Sequence, residues 1–291
     1  MTKLAVIGPG LLGGSLALAA RRAGGFHVSL WARRPEAVEE LRELGVADEA
    51  SNNLLAVADA ADVVVFCVPV GAMAALAEQV VPVLRADTLV TDVGSVKAPV
   101  VAQLAPIFRT GARFVGSHPM AGSEQTGIRA ARADLFDDAV CILTPNGESA
   151  PEAVSGIREF WTTMGCRVME ISPEAHDDAV AAVSHLPHLA AAALVNAVAE
   201  KSPGAFDFAG PGFRDTTRVA SGPPDMWTEI LSSNRRAVRK SAEAMIAKLE
   251  EFITLLDSNT PESETRMNQF LTQAKVQRDS LRLVRDAGLL Q

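Results

Sequence analysis

Several features that mark large classes of protein are scarce or missing in this sequence. It contains no tyrosine and only three cysteines, Cys67, Cys141 and Cys166. None of them belongs to a CxxC pair and each lies in an apolar run, which indicates buried, reduced thiols. No uninterrupted apolar run approaches the roughly 20 residues of a membrane-spanning helix, so we expect no membrane partner. The N-terminus leads directly into a strand-like run without the pattern of a signal peptide, so we expect a cytoplasmic protein.

Positive charge is also scarce. The 27 lysines and arginines are outnumbered by 35 aspartates and glutamates, and the parts before and after Ile171 are both net acidic. Because binding to nucleic acid requires a positive field, we expect no nucleic-acid partner. The length of 291 residues and the hydrophobic content of 48% are typical of a folded chain of about two domains.

The hydrophobic pattern up to residue 171 alternates between two kinds of segment. Continuous apolar runs, typical of strands covered on both faces, are separated by helical patterns. This alternation predicts an α/β fold with a Rossmann-type, doubly wound, mostly parallel sheet, and hence a dinucleotide-binding domain over residues 1–171. The predicted strands are 4–8, 27–31, 62–68, 88–93, 113–117, 139–143 and 166–171.

The hydrophobic pattern of the sequence changes after residue 171. Ser172 and Pro173 are typical of a helix start, and a long alanine-rich helix follows towards Glu200, with a kink expected at Pro187. A loop over 202–213 then leads to predicted helices over 226–256 and 262–284. No strand pattern is convincing here, so we predict a second, all-helical domain over residues 172–291.

A glycine-rich turn joins the first predicted strand to the first predicted helix. It reads Gly8-Pro9-Gly10-Leu11-Leu12-Gly13, and a G-x-G-x-x-G run in this position is typical of dinucleotide binding. Gly8 permits the tight turn, Gly10 lets the backbone approach a diphosphate, and Gly13 permits close packing of the helix. We therefore predict that this turn binds the diphosphate at the helix N-terminus.

The end of the second strand bears on the choice of cofactor. An NAD site usually has an acidic residue there, but this chain has Ala32, Arg33 and Arg34. A guanidinium can bind the 2′-phosphate of NADP, so the pattern favours NADP, with NAD possible. The alternative is that both arginines are solvated and Glu36 is the acidic residue. We expect Val68 and Pro69, after the third predicted strand, to lie along the cofactor.

Polar residues that a hydrophobic core does not require are concentrated in four segments. Two follow predicted strands: 91–97, with Ser95 and Lys97, and 116–124, with His118. Ligands of a doubly wound sheet bind at the carboxyl ends of its strands, where both segments lie. The helical half adds 184–188 and 212–218, followed by Trp227. His185 and His188 have the spacing of two histidines that bind one metal ion, but no third ligand is evident, so no metal is expected.

These motifs resemble those of the prephenate/arogenate dehydrogenase family of tyrosine biosynthesis. GPGLLGGS, DVGSVK, GSHPMAGSE, SHLPH and GFRDTTRVASGPPDMW occur in that family's order and roughly its spacing, over nearly the whole chain. The resemblance implies an NAD(P)-dependent oxidative decarboxylation of prephenate or arogenate, which yields 4-hydroxyphenylpyruvate or tyrosine. It also implies a homodimer whose helical domain binds substrate and dimerises.

The resemblance also implies roles for individual residues. His118 would take the proton of the substrate 4-hydroxyl as hydride leaves, and Ser95 would orient His118 and contact the nicotinamide. Arg218 would bind a substrate carboxylate, and Lys97 is a weaker candidate for attracting the anionic substrate. The remaining substrate-binding candidates are His188, Ser184, Trp227, Glu124 and Arg214. His27 and His176 lie outside the motifs and look peripheral.

Two other functions are compatible with a dinucleotide domain followed by helices. The first is a 3-hydroxyacid dehydrogenase or imine reductase, which typically has a catalytic lysine or acid where this chain has Ser184 to His188. The second is a non-catalytic NADP-binding sensor, against which the presence of His118, Ser95 and Arg218 argues. Turnover of prephenate or arogenate distinguishes the enzyme from both.

Overall fold

The computed structural model describes residues 1–109, 111, 113–122 and 125–287. Its first part is a parallel six-stranded sheet in the order β3-β2-β1-β4-β5-β6. This is the strand order of a doubly wound dinucleotide-binding sheet, with the order reversing between β1 and β4. The strands are β1 (Thr2–Ile7), β2 (Phe26–Trp31), β3 (Glu49–Ser51), β4 (Val63–Phe66), β5 (Leu89–Asp92) and β6 (Arg113–Phe114).

Helices cover both faces of this sheet. Two hydrophobic clusters result, one on each side of β1 and β4, and their central side chains such as Val64 and Val65 are fully buried. Burial on both faces explains why these strands are continuous apolar runs in the sequence. The helices are α1 (Leu11–Ala23), α2 (Pro35–Leu44), α3 (Leu54–Ala58), α4 (Val70–Val80), α5 (Ala98–Phe108) and α6 (Pro151–Thr163).

A second, three-stranded sheet follows the first. It consists of β7 (Gly116–Pro119), β8 (Val140–Thr144) and β9 (Arg167–Glu170), with β7 antiparallel to β8 and β8 parallel to β9. The single strand predicted over 113–117 is therefore wrong, since the chain passes from one sheet to the other at Val115. The reason is local: Val115 still donates to Val90 on β5, whereas the backbone N–H and carbonyl of Ser117 bond to the side chains of Asp92 and Lys97.

The chain after Ile171 is helical, as predicted. The first helical run, Pro173–Lys201, is continuous, and near the predicted kink it contains a π-helical segment, Ala181–His185, which ends two residues before Pro187. Widened turns of this kind occur where the regular backbone ladder is interrupted, and proline lacks the required N–H. The helices are α7 (Pro173–Val180), α8 (Leu186–Lys201), α9 (Pro211–Thr217), α10 (Pro224–Ser233), α11 (Arg235–Leu256) and α12 (Pro261–Ala287).

The helical run Pro173–Lys201 is strongly apolar. By length and composition alone, its 29 residues could cross a membrane. However, three histidines on it, His176, His185 and His188, are buried against other parts of the chain. A single apolar helix of this kind is weak support for a membrane span, because core helices of soluble proteins have the same composition.

The chain separates into two compact units, Met1–Val238 and the part from Arg239 onward. All site residues discussed below lie in the first unit. In the second unit, Thr260 and Ser263 exchange hydrogen bonds at the start of α12, each backbone N–H donating to the other's hydroxyl at 3.2 Å. The predicted boundary between residues 171 and 172 coincides with the change from strands to helices, and as a division between domains it remains a prediction.

Candidate active site

The glycine turn between β1 and α1 is sterically constrained at two positions and open at a third. Gly8 has a φ of +120°, and a Cβ there would lie 2.5 Å from the carbonyl oxygen of Cys67. A Cβ on Gly13 would lie 1.9 Å from the carbonyl oxygen of Gly8, whereas one on Gly10 would have no atom within 4 Å. Gly10 is the N-cap of α1 and no side chain caps the helix. The first N–H groups of α1 therefore face open space suited to an anion.

The end of β2 has exposed basic residues. Ala32 is buried, while Arg33 and Arg34 are exposed and, within the part of the chain that is described, neither guanidinium forms an ion pair. Glu36, the alternative acidic candidate, lies in the first turn of α2 and is also exposed. Both arginines are thus free to bind an anion beside the sheet.

A fully buried ion pair lies where β5 and β7 meet. The ammonium of Lys97 bonds to the carboxylate of Asp92 and donates to the backbone oxygen of Ser117 at 2.9 Å. The Asp92 carboxylate also accepts the N–H of Ser117 at 3.1 Å, and the indole N–H of Trp161 donates to the Ser117 hydroxyl at 2.9 Å. The expectation that Lys97 attracts substrate is therefore wrong, because its side chain is 0% exposed and holds the strand that carries His118.

His118 follows Ser117 on β7 and is only 7% exposed. Its Nδ1 lies 2.8 Å from Nε2 of His176, and Nδ1 of His176 lies 2.8 Å from a carboxylate oxygen of Asp177. The same carboxylate accepts the backbone N–H groups of Lys97 and Ala98, at 2.7 Å and 2.9 Å, at the start of α5. His176, expected to be peripheral, is 0% exposed and central to this arrangement.

Burial determines the protonation of the two imidazoles. It lowers the pKa of His118 well below its usual value, and the positive charge of Lys97 and the neighbouring His176 and His185 act in the same direction. Burial also lowers the pKa of His176, although its hydrogen bond to Asp177 opposes this effect. Both rings are therefore neutral near pH 7.

The π-helical segment and α8 contribute a second group of aromatic rings. The His188 and Trp227 rings stack with centroids 3.6 Å apart and planes within 10°. His185 is edge-on to Trp227, with centroids 6.3 Å apart, and its Nδ1 lies 3.3 Å from the side-chain nitrogen of Asn234. Burial lowers the pKa of His185 to about 4. Asn234 also donates to the backbone oxygen of Asp177 at 2.7 Å, which connects these rings to the His118 cluster.

Family models of known proteins match both halves of the chain. The model described as prephenate dehydrogenase, nucleotide-binding domain, matches residues 16–170. The model described as prephenate dehydrogenase, dimerization domain, matches residues 172–272. The chain belongs to the prephenate dehydrogenase family.

Individual members of the prephenate dehydrogenase family are similar over most of their length. Cyclohexadienyl dehydrogenase of Zymomonas mobilis is 34% identical over 261 residues, with 88% of each chain covered. Prephenate dehydrogenase of Bacillus subtilis is 33% identical over 282 residues, with 95% of this chain and 75% of that protein covered. The resemblance deduced from the motifs is thereby confirmed.

Solved structures agree with this family assignment. Prephenate dehydrogenase of A. aeolicus, in complex with hydroxyphenyl propionate and NAD+, has a TM-score of 0.89 at 32% identity, with 97% of this chain and 98% of that chain covered. Synechocystis arogenate dehydrogenase has a TM-score of 0.82 at 32% identity, with 96% of this chain and 100% of that chain covered. A Mycobacterium tuberculosis 3-hydroxyisobutyrate dehydrogenase, at 14% identity, covers 94% of each chain and shares only the fold, with a TM-score of 0.57.

The other predicted site residues of this family member are distributed around the two clusters. Ser95 is half-buried after β5, with its backbone beside His185, and Ser184 is half-buried on the π-helical segment. Arg218 is exposed at the start of the turn Arg218–Ser221, in which the Val219 backbone lies beside His188. Arg214 is exposed and donates to the backbone oxygen of Ala209 at 3.3 Å. The predicted substrate-binding residue Glu124 lies outside the described residues.

Proposed function

We propose that this member of the prephenate dehydrogenase family is an NADP-preferring enzyme that acts on prephenate or arogenate. The observation that carries the proposed activity is the buried imidazole of His118, whose Nδ1 lies 2.8 Å from Nε2 of His176. Among the described residues, Nε2 of His118 has no hydrogen-bond partner, so this nitrogen is the one that can accept a proton.

In the proposed reaction, Nε2 of His118 takes the proton of the substrate 4-hydroxyl. The ring carbon that bears this hydroxyl loses hydride, carbon dioxide leaves the opposite ring carbon, and the electron pair of the broken bond makes the ring aromatic. The resulting phenolate oxygen then takes the proton back from His118. When bound, the nicotinamide cofactor supplies the hydride acceptor. A neutral base is required, and the lowered pKa of His118 provides one at and below pH 7. Ser95, whose loop adjoins His185, is proposed to contact the hydroxyl and the nicotinamide side.

The glycine turn and the loop after β4 are proposed to hold the cofactor. A Cβ at Gly8 would touch both Cys67 and Val68, so the two loops are adjacent at the point where the strand order reverses. The diphosphate would lie over Gly10, Leu11, Leu12 and Gly13, and the chain at Val68 and Pro69 would line the site. The exposed guanidiniums of Arg33 and Arg34 support a preference for NADP, although the A. aeolicus relative is described with NAD+.

The substrate is proposed to lie between the two clusters of buried side chains. Arg218 would bind a carboxylate, since its turn adjoins His188 through Val219. The stacked rings of His188 and Trp227 form a rigid apolar wall against which a six-membered ring can pack. Ser184, Glu124 and Arg214 are further candidates for contacts to the substrate side chain.

A homodimer is also proposed. The match to the dimerization domain supports it, and so does the exposed apolar stripe on α11. Ile246, Leu249 and Ile253 on this helix are 52%, 54% and 55% exposed and lie three and four residues apart. An exposed stripe at helical spacing is typical of a surface that a partner covers.

The direct experiment is a steady-state comparison of prephenate and arogenate, each with NADP and with NAD. Turnover is followed by the absorbance of the reduced cofactor. We expect turnover of at least one substrate, with a higher kcat/KM for NADP than for NAD. Absence of turnover in all four combinations, with folded protein, would end the proposal.

A further inference from the structure

Resting on the proposed role of His118 as base, we infer that His176 and Asp177 are positioning residues that fix the tautomer of His118. The three side chains form a continuous hydrogen-bonded row, with 2.8 Å between His118 and His176 and 2.8 Å between His176 and Asp177. The row determines which nitrogen of His118 carries the proton and which one has the lone pair.

Asp177 determines which atoms donate and which accept in the hydrogen bonds of this row. Its carboxylate accepts the backbone N–H groups of Lys97 and Ala98, which lie at the start of α5. Both carboxylate oxygens thus accept from amides at the start of a helix. A carboxylate only accepts hydrogen bonds, so Nδ1 of His176 must carry its proton and donate to Asp177.

The positions of the remaining protons follow from the chemistry of neutral imidazole. A neutral ring has one N–H, so with Nδ1 of His176 protonated its Nε2 has a lone pair and accepts. Nδ1 of His118 must then donate, and the lone pair of His118 is on Nε2. The opposite tautomer of His118 would place two lone pairs 2.8 Å apart and leave Nε2 unable to accept the substrate proton.

The surroundings of His118 hold the row in this state. Lys97 and His185 face His118 besides His176, and Asp177, Lys97 and Asp92 face His176. None of these groups except His176 is hydrogen-bonded to the His118 ring within the described residues. When His118 gains the substrate proton, the carboxylate of Asp177 at the end of the row favours the resulting imidazolium.

The hydrogen-bonded row joins the two halves of the chain. His118 and the Lys97 amide belong to the nucleotide-binding half, whereas His176 and Asp177 belong to α7. The backbone amides at the start of α5 donate to the Asp177 carboxylate, and this carboxylate accepts from His176. The tautomer of His118 therefore depends on the packing of α7 against the start of α5.

The first test uses two substitutions of His176 that differ in hydrogen bonding. His176→Leu removes the acceptor for His118, whereas the amide of His176→Gln can accept from His118 through its oxygen and donate to Asp177 through its nitrogen. We expect His176→Leu to lower kcat about 100-fold with little change in KM, and His176→Gln to retain at least about tenfold more of kcat. Equal kcat for the wild type and a folded His176→Leu would overturn the inference.

A double-substitution cycle separates positioning from a general structural effect. In the His118→Asn background no base remains to be positioned, so His176→Leu should cause no further loss of kcat. Independent losses that multiply in the double variant would contradict the inference. The failure of the proposed function is distinct, because in that case the wild type itself would not turn over either substrate.

A second measurement needs no variant and no activity. The chain has five histidines, so the wild-type protein labelled with nitrogen-15 histidine gives a simple imidazole spectrum. Assigned signals should show His118 and His176 protonated on Nδ1 and unprotonated on Nε2 at pH 7. A proton on Nε2 of His118 would contradict the inference even if His176→Leu failed to fold.

Discussion

Nδ1 of His118, on the strand β7, lies 2.8 Å from Nε2 of His176, on the helix α7. The proposed base is therefore oriented by a side chain from the helical half of the chain and not by the neighbouring loop. Ser95 was expected to orient His118, but within the described residues no hydrogen bond joins the two side chains. The proposed contacts of Ser95 with the substrate and the nicotinamide do not depend on that bond.

The cofactor preference is tested by reversing the charge at the end of β2. Arg33→Asp should lower the ratio of kcat/KM for NADP over NAD at least about tenfold, because a carboxylate repels the 2′-phosphate that a guanidinium binds. Steady-state kinetics with both cofactors measures the ratio. Arg113→Asp, an equal charge change on the exposed residue of the edge strand β6, is the control and should leave the ratio unchanged. An equal ratio in both variants would show that Arg33 does not contact the phosphate.

Arg218→Ala tests the proposed carboxylate contact. A charge-assisted hydrogen bond contributes about 1.5–3 kcal/mol, so the KM for the substrate should rise about 10- to 100-fold while kcat changes less. Arg214→Ala, in the preceding helix α9, is the comparison and should have a smaller effect on KM. An unchanged KM in Arg218→Ala would refute the carboxylate role.

Two glycines of the turn after β1 should respond differently to alanine. At Gly10 a Cβ has no atom within 4 Å, so Gly10→Ala should fold normally but bind NADP at least about tenfold more weakly, since the methyl group occupies the space of the diphosphate. At Gly13 the Cβ would lie 1.9 Å from the Gly8 carbonyl oxygen, so Gly13→Ala should be destabilised by about 1–3 kcal/mol or more.

Thermal unfolding and cofactor titration separate these two effects. The result that contradicts this account of the turn is a Gly10→Ala variant with the wild-type affinity for NADP. A Gly13→Ala variant with the wild-type Tm would contradict the steric role assigned to Gly13.

The buried ion pair between Lys97 and Asp92 should be required for stability. Lys97→Met leaves the Asp92 carboxylate uncompensated, and removal of one partner of a buried pair costs about 3–5 kcal/mol. The double variant Lys97→Met/Asp92→Asn removes both charges and should recover part of this loss. Urea denaturation measures the free energy of unfolding of each variant. A loss below about 1 kcal/mol in Lys97→Met would show that the pair is not needed to hold β7.

The alternation of strands and helices was predictable because burial on both faces produces long apolar runs. The apolar runs at β1 and β4 are unbroken, and the glycine turn directly follows β1. The short strand β3 was missed because its three residues, Glu49–Ser51, form no apolar run and lie at the edge of the sheet. The break between α10 and α11 at Asn234 was missed because the helical pattern continues across it.

The residues of the candidate site were predictable where they belong to sequence motifs. They were not predictable where they act by hydrogen bonding to other residues of the site. His118, His188 and Trp227 were predicted as site residues from their motifs, and the structure stacks the last two against each other. His176 and Asp177 were not, because an adjacent histidine and aspartate near a helix start look solvated in the sequence. Their partners, His118 and the amides of α5, are 58 to 80 residues away in the chain, and no local pattern reveals such contacts.

We propose that this chain oxidises a cyclohexadienol substrate with His118 as the base. The measurement that tests it most directly is the steady-state comparison of the wild type and His118→Asn, with NADP and whichever of prephenate or arogenate the wild type turns over. We predict that kcat falls about 10²- to 10⁴-fold while KM for the substrate and for NADP stays within a few-fold, because proton removal is needed only near the transition state. A wild-type kcat in His118→Asn, with a change confined to KM, would contradict the account.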